Sequence, residues 1–224
     1  VSQAQQSHMP LAYFIAKWLY QRFYTPLLLP VFVATLLIVI VLIIFDVSYD
    51  TYMIGGEWIH KFLGPAVVAL AYPLYQHRMI LKRLAIPMLA GTFIGAVVGV
   101  VSGGLMAKLA GFDEELIYSM VPKSVTTPVA MDISESLNGI APLSVVFVMI
   151  AGISGAMFYQ KIFQLFRLTS SVGRGVGLGS ASHAIGTAKA LENSELEGSI
   201  STVAMILSAV FVSLTTPFLI SIIM

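Results

Sequence analysis

The chain contains no cysteine among its 224 residues. This absence excludes disulfide bonds, thiolate metal sites and cysteine nucleophiles, although it does not identify the cellular compartment. Charged residues are also scarce, at 10% of the chain, whereas an ordinary soluble domain has about 25%. The formal net charge is only +1 and no stretch combines basic with aromatic residues, so nucleic-acid binding is not expected.

Long apolar runs fill the chain, which is 58% hydrophobic. A helix needs about 20 apolar residues to cross a bilayer. The sequence therefore predicts an all-α polytopic membrane protein with about six to seven transmembrane helices and a re-entrant pair of half-helices. One membrane domain is predicted over residues 11–224, after a polar tail at 1–10 that resembles vector-derived sequence. The predicted spans are 11–23, 27–45, 62–75, 84–107, 141–159 and 200–223, of which the first and third are short.

The basic residues predict the topology. The segments 17–22, 77–83 and 161–174 contain eight of the twelve Lys and Arg residues and none of the eleven acids. Such segments face the cytoplasm under the positive-inside rule. Because an even number of crossings must separate the last two segments, the region 116–134 is expected to enter and leave the membrane from the outer side.

A second polar region covers residues 173–191. As a continuous helix it would be about 28 Å long, which is enough to cross the membrane. A crossing would place Glu192, Glu195 and Glu197 outside the cell and the C-terminus inside. A re-entrant course is the alternative.

Two proline-led segments give a faint internal echo. Pro65 precedes Gly91 by 26 residues, and Pro128 precedes Gly152 by 24 residues. The helices that follow run in opposite directions in the predicted topology. The echo therefore indicates a candidate inverted repeat, an arrangement common in secondary transporters.

The first polar stretch, residues 122–132, reads Pro-Lys-Ser-Val-Thr-Thr-Pro-Val-Ala-Met-Asp. Pro122 and Pro128 interrupt the apolar sequence, and Pro128 favours the first turn of a new helix, which Thr126 or Thr127 would cap. A helix N-terminus attracts anions, and a lysine adds a full positive charge. The alternative is that the lysine only extends to the membrane interface. The predicted carboxylate-binding residues are Lys123, Ser124, Thr126 and Thr127.

The second stretch, residues 173–187, reads Gly-Arg-Gly-Val-Gly-Leu-Gly-Ser-Ala-Ser-His-Ala-Ile-Gly-Thr. A helix would stack Gly175, Gly179, His183 and Thr187 on one face, where the glycines allow another backbone to come close. His183 is a candidate because ionisable groups inside membranes are rare and histidine changes charge near neutral pH. A neutral His183 hydrogen-bonded between helices is the alternative. The substrate-binding candidates of this stretch are Ser180, Ser182, His183 and Thr187, and its other helix-breaking glycines are Gly177 and Gly186.

Two further sets of residues complete the predictions. The proton-coupling candidates are His183, Asp132 and Glu192. A four-residue series in the span 84–107 predicts a helix-packing face, formed by Gly91, Gly95, Gly99 and Gly103. Because neither metal-ligand spacing nor a nucleophile–base arrangement is evident, we expect no metal, no cofactor and no enzymatic activity.

Residues 122–132 and 177–192, with Glu195-Leu-Glu-Gly198 after them, closely resemble the signature motifs of the LrgB/CidB family. The resemblance extends over nearly the whole chain from about residue 11. It implies a bacterial inner-membrane protein of a type described as an antiholin-like regulator of murein hydrolases and autolysis. Such proteins usually act beside a small holin-like membrane partner of the LrgA/CidA type. The C-terminal half of the plastid glycolate/glycerate translocator is similar, and some bacterial members are linked to pyruvate uptake.

Three functions follow as expectations. The first is a secondary transporter of small monocarboxylates of the glycolate, glycerate and pyruvate class, with proton coupling. The second is an antiholin-like regulator that acts with the holin-like partner, and the third is a structural membrane subunit. A cation, hydroxyl donors and a histidine at broken helices favour transport. The expected partners are the bilayer, a carboxylate, the holin-like protein and a second copy of the chain.

Overall fold

The computed structural model describes residues 13–22, 28, 30–48, 51–52, 54, 56–57, 61–62, 65, 68–69 and 71–224. These residues form helices and turns, and no strand occurs among them. They belong to two compact units, Val1–Pro65 and Ala66–Met224. In the first unit, residues 13–22 are helical and α1 covers Pro30–Ile44.

The second unit confirms the prediction of an all-α membrane protein. Three of its helices, α4, α7 and α9, are long and apolar enough to cross a membrane. The predicted spans 11–23 and 62–75 lie partly outside the described residues, and 27–45 corresponds to the shorter helix α1. The helices of the second unit are α2 Ala71–Gln76, α3 Arg78–Arg83, α4 Ala85–Leu109, α5 Glu114–Met120, α6 Thr127–Ser136, α7 Ala141–Leu165, α8 Ser171–Asn193 and α9 Glu195–Ile223.

Helices α5 and α6 form a re-entrant pair, here named hairpin 1 (residues 114–136). The turn between them is irregular at residues 121–126, and Pro128 lies in the first turn of α6, as predicted. The amide of Ile140, which follows the hairpin, donates a 2.7 Å hydrogen bond to the hydroxyl of Ser119 in α5. Because Ser119 lies in the last turn of α5, the chain that follows α6 returns to the level of α5, as a course that enters and leaves from one side requires.

Helix α8 is not straight, because its backbone breaks at His183. This residue has φ 40° and ψ −132°, which no helical residue adopts. A Cβ placed on Gly186 would lie 2.6 Å from the carbonyl oxygen of Leu178. Residues eight apart in a straight helix are separated by about 12 Å. The chain therefore turns back at His183, and residues 171–193 form a second hairpin of two half-helices, hairpin 2.

The two ends of hairpin 2 meet at one carboxylate. Arg174 Nη1 donates to Glu197 Oε1 over 3.3 Å, and Asn193 Nδ2 donates to Glu197 Oε2 over 3.3 Å. Of the two courses that the sequence left open for residues 173–191, the structure therefore has the re-entrant one and not the crossing. Glu197 accordingly does not lie across the membrane from segment 161–174, because it pairs with Arg174 of that segment.

The crossing helices alternate with the hairpins in the order α4, hairpin 1, α7, hairpin 2, α9. Helices α4 and α9 run parallel, since Met88 clusters with Ile200 near their starts and Lys108 donates to the carbonyl of Ile223 at their ends. Helix α7 runs in the direction opposite to α4 and α9, and it packs along the first half of hairpin 2. Opposite directions of α4 and α7 fit the predicted inverted repeat, although much of the echo after Pro65 lies outside the described residues.

Cysteine labelling tests this topology in a chain that has no cysteine of its own. Exposed Thr169 and Glu195 flank hairpin 2, and exposed Asp113 precedes hairpin 1. Single cysteines at 169 and 195 should react with a membrane-impermeant thiol reagent from the same side. A cysteine at 113 should react only from the other side. Labelling of 169 and 195 from opposite sides would contradict the re-entrant course.

Candidate functional site

The four predicted packing glycines of α4 form the surface on which the two hairpins meet. A Cβ on any of them would contact a side chain of one hairpin. In order along the helix, the contacts are Val176 at Gly91, Ser180 at Gly95, Ser124 at Gly99 and Lys123 at Gly103. The first two contacts belong to hairpin 2 and the last two to hairpin 1. The two hairpins, which start from opposite ends of α4, therefore approach each other in the middle of this helix.

The tip of hairpin 1 carries a cation and two buried hydroxyls. Lys123 Nζ donates to the carbonyl oxygen of Gly99 over 3.1 Å, and no carboxylate in the described part of the chain pairs with it. Ser124 Oγ and Thr126 Oγ1 are buried and have no hydrogen-bond partner among the described residues. Thr126 stands at the N-cap of α6, but the expected side-chain cap is not formed. Thr127 is the first, half-buried residue of that helix.

This arrangement is suited to a small carboxylate. The first N–H groups of a helix have no partner within the helix and carry a partial positive charge. In α6 these N–H groups follow directly in the chain after the lysine and the two hydroxyls of the same tip. Buried hydroxyls in folded proteins almost always have a hydrogen-bond partner. A carboxylate would supply acceptors to the lysine, to the hydroxyls and to the helix N-terminus together.

The tip of hairpin 2 packs against α7. His183 Nε2 is 2.9 Å from the carbonyl oxygen of Val148. A Cβ on Gly152 would lie 2.7 Å from the same imidazole nitrogen, and a Cβ on Gly155 would collide with Ser182. Val148 is buried in the cluster that also contains the valines of the hairpin 1 tip. Both tips thus reach the same layer of the protein.

The predicted common face of hairpin 2 is wrong in one member. A Cβ on Gly175 or Gly179 would contact α9, and Thr187 Oγ1 lies 2.9 Å from Ser201 Oγ on α9. His183 turns instead to α7, because its positive φ interrupts the helical periodicity. Thr187 therefore lies in a helix contact with α9 and not at the meeting point of the tips.

The remaining candidates fall into two groups. Ser180 is buried beside the α4 glycines and donates to Val176 O over 2.7 Å. Asp132 is exposed on α6, and Glu192 bonds Lys189 over 2.7 Å near the end of hairpin 2. No hydrogen bond or ion pair within the described ranges joins either acid to the tips, and no group of three or more His, Asp or Glu there could hold a metal ion. Of the predicted breaking residues, Pro122 is buried, and a Cβ on Gly186 would collide with Ser182, whereas one on Gly177 would make only an ordinary contact with Phe163.

Sequence reasoning missed Gly152, Gly155 and the pair of Arg174 with Glu197. The two glycines of α7 contact the tip of hairpin 2, as Gly91 and Gly95 of α4 contact its first half. Their three-residue spacing places both glycines on one face of α7, which the sequence alone indicates. The ion pair joins residues 23 apart across a chain reversal, so no local pattern marks it.

Crossing helices that alternate with two re-entrant hairpins around a polar centre define a polytopic membrane protein. The chain matches the LrgB-like family over residues 11–222, and it belongs to that family. It is 49% identical over 209 residues to "Uncharacterized protein YxaC" of Bacillus subtilis, covering 93% of this chain and 91% of the relative. It is 38% identical over 208 residues to "Holin-like protein CidB" of Staphylococcus aureus, with coverage of 93% and 91%. No solved structure matches the chain.

The apolar helices and these relatives identify a multi-pass protein of the bacterial inner membrane. The expectation of an LrgB-type protein is confirmed.

The contact between hairpin 2 and α9 predicts opposite effects for two alanine substitutions in α8. A Cβ on Gly179 would collide with the backbone carbonyl of Ser201, so Gly179→Ala should cost about 1–3 kcal/mol of stability. A Cβ on Gly173 would meet nothing within 4 Å. Gly173→Ala, the matched control, should be neutral or stabilise the helix by about 0.5–1 kcal/mol. Thermal unfolding in detergent measures both, and equal midpoints for the two variants would argue against this packing.

Proposed function

We propose that this chain is a secondary transporter of small monocarboxylates and that the hairpin tips hold the substrate carboxylate. The tip of hairpin 1 carries the proposal. There Lys123 has a carbonyl partner but no carboxylate partner within the described residues, and two buried hydroxyls have no partner. A charge at membrane depth is costly and is retained mainly where it serves a pathway.

The charge and size of the tip support a monocarboxylate. A single lysine balances a single negative charge, so a second carboxylate would stay unpaired at a cost of several kcal/mol by order of magnitude. The side chains around Lys123 lie against Gly99 and Gly103 of α4, where even a Cβ would be in contact. The space therefore favours a small anion over a long-chain one.

Proton coupling is part of the proposal, with His183 as the coupling group. It is buried at the tip of hairpin 2, and one imidazole nitrogen is held by the Val148 carbonyl. The other nitrogen has no hydrogen-bond partner among the described residues, and it is the atom on which a coupling proton would be carried. Asp132 and Glu192 remain the alternative coupling residues, although they lie away from the tips.

Counterflow of labelled glycolate, pyruvate and lactate into proteoliposomes tests the proposal. The purified protein should exchange at least one of them. Lys123→Ala should weaken the apparent affinity about tenfold or more, because hydrogen bonds to charged groups contribute about 1.5–3 kcal/mol. Exposed Lys82 on α3 supplies the control, and Lys82→Ala should exchange normally. Unchanged affinity in Lys123→Ala would remove this site from the proposal.

The variant His183→Gln tests proton coupling. It should lose uptake driven by a pH gradient but keep exchange at equal pH.

A second candidate function is an antiholin-like regulator that acts with a small holin-like membrane partner on murein hydrolase activity. The relative named "Holin-like protein CidB" supports it, because the likeness covers 93% of this chain. The relatives' names favour this candidate more directly than transport, whereas the tip chemistry favours transport.

The two candidates differ in what the purified chain does alone. If the chain exchanges no monocarboxylate in proteoliposomes, yet its deletion changes autolysis in a way that Lys123→Ala restores fully, regulation is favoured. If Lys123→Ala loses both exchange and the autolysis effect, the effect on autolysis follows from carboxylate flux.

A further inference from the structure

The end of helix α7 holds an arginine in an unusual backbone conformation. Four helix ends in the described part share one closing pattern, in which the second residue after the helix has a positive φ. Its amide and the next amide bond back to carbonyls of the last turn. The four residues are Asp46, Gly111, Asn138 and Arg167. Glycine, asparagine and aspartate are the types that tolerate this conformation. Arg167, with φ 51°, is the exception.

A strained backbone at a residue poorly suited to it points to a use for the side chain. Arg167 lines a cleft of about 490 Å³ between the end of α7 and the start of α8. The cleft offers two guanidinium groups, one amide, one hydroxyl and two apolar side chains. Its lining residues are Phe163, Gln164, Arg167, Leu168, Thr169 and Arg174.

The charge of this cleft is only partly balanced. Arg174 pairs with Glu197 through one nitrogen at 3.3 Å, and its buried Nε has no partner among the described residues. No carboxylate in the part of the chain that the structure describes pairs with Arg167. Of the two arginines that line the cleft, only Arg174 is therefore paired with a carboxylate in the described part of the chain. Arginine is the side chain best shaped to bind phosphate oxygens in pairs.

The location of the cleft indicates which kind of molecule would carry this phosphate. It belongs to the segment 161–174, which the positive-inside rule places on the cytoplasmic side. Leu165 and Phe166, just before Arg167, are 77% and 68% exposed, as expected for side chains that contact lipid. The cytoplasmic leaflet is rich in anionic phospholipids. A lipid headgroup would place its phosphate at the arginines and its chains beside these apolar residues.

We propose that this cleft binds the phosphate of an anionic phospholipid of the cytoplasmic leaflet. The bound headgroup links the end of α7 to the start of hairpin 2, because Arg167 belongs to the first and Arg174 to the second. Arg174 in turn holds Glu197 at the start of α9. The lipid therefore stabilises the cytoplasmic base of hairpin 2, whichever function the tips perform.

The variant Arg167→Asn distinguishes lipid binding by Arg167 from a structural role of this residue. Asparagine suits the left-handed backbone better than arginine, so the variant should unfold at the same or a higher temperature in lipid-free neutral detergent. Phosphatidylglycerol at a hundredfold excess over its Kd should raise the unfolding midpoint of the unmodified protein by about 5 °C or more. The increment should be lost in Arg167→Asn. Arg83→Gln, an exposed arginine of α3 outside the cleft, should keep the full increment.

Three results would overturn the proposal. They are an undiminished increment in Arg167→Asn, an equal increment from phosphatidylcholine, whose headgroup has no net charge, and an equal increment from inorganic phosphate. The last result would identify a free anion as the ligand in place of a lipid.

Discussion

The hydrocarbon core of a membrane gives an irregular backbone no hydrogen-bond partner, and the rest of this structure depends on that constraint. Two chain reversals occur at membrane depth, one in the turn at residues 121–126 and one at His183. Each is possible only if protein surrounds it closely. Glycines on α4 and α7 provide the room, because a Cβ on Gly103 or Gly155 would collide with the facing hairpin. The small residues of the crossing helices and the polar turns are thus two parts of one arrangement.

The same packing concentrates the chemistry. A hairpin that turns in the middle of the membrane places a helix N-terminus and its flanking polar side chains at that depth. A continuous helix has apolar side chains there. In hairpin 1 these groups are Lys123, Ser124 and Thr126, and the first two contact the same face of α4 that receives Ser180 of hairpin 2. Binding a carboxylate there would satisfy donors that the protein itself leaves without partners. At the base of hairpin 2, Glu197 holds both ends of the hairpin.

Much of this fold could be predicted from the sequence, since apolar length and basic segments are local signals. The spans that correspond to α4, α7 and α9 were predicted within a few residues at most ends. The start of α6 beside Pro128 followed from proline chemistry. The course of hairpin 2 could not be predicted. Its length fits a crossing, and Gly175, Gly179 and Thr187 keep a helical spacing through the break. The break falls on His183, where nothing in the local sequence predicts a positive φ. The reversal is evident only from the folded structure, in the contact of Gly186 with Leu178 and in the bonds to Val148 and Glu197.

Disulfide trapping tests most directly whether the two hairpins meet on α4. A Cβ on Gly95 would lie 3.5 Å from Ser180 Cβ, within the range of about 3.5–4.5 Å found in disulfides. In the cysteine-free chain, the pair Gly95→Cys with Ser180→Cys should close under mild oxidation, and so should Gly99→Cys with Ser124→Cys. The pair Gly95→Cys with Gly173→Cys, at a glycine with open surroundings, should stay reduced. Intact mass after thiol blocking measures the outcome. Closure of both test pairs is the predicted result. If both test pairs stay reduced in protein that is folded, the account of two hairpins meeting on one glycine face is contradicted.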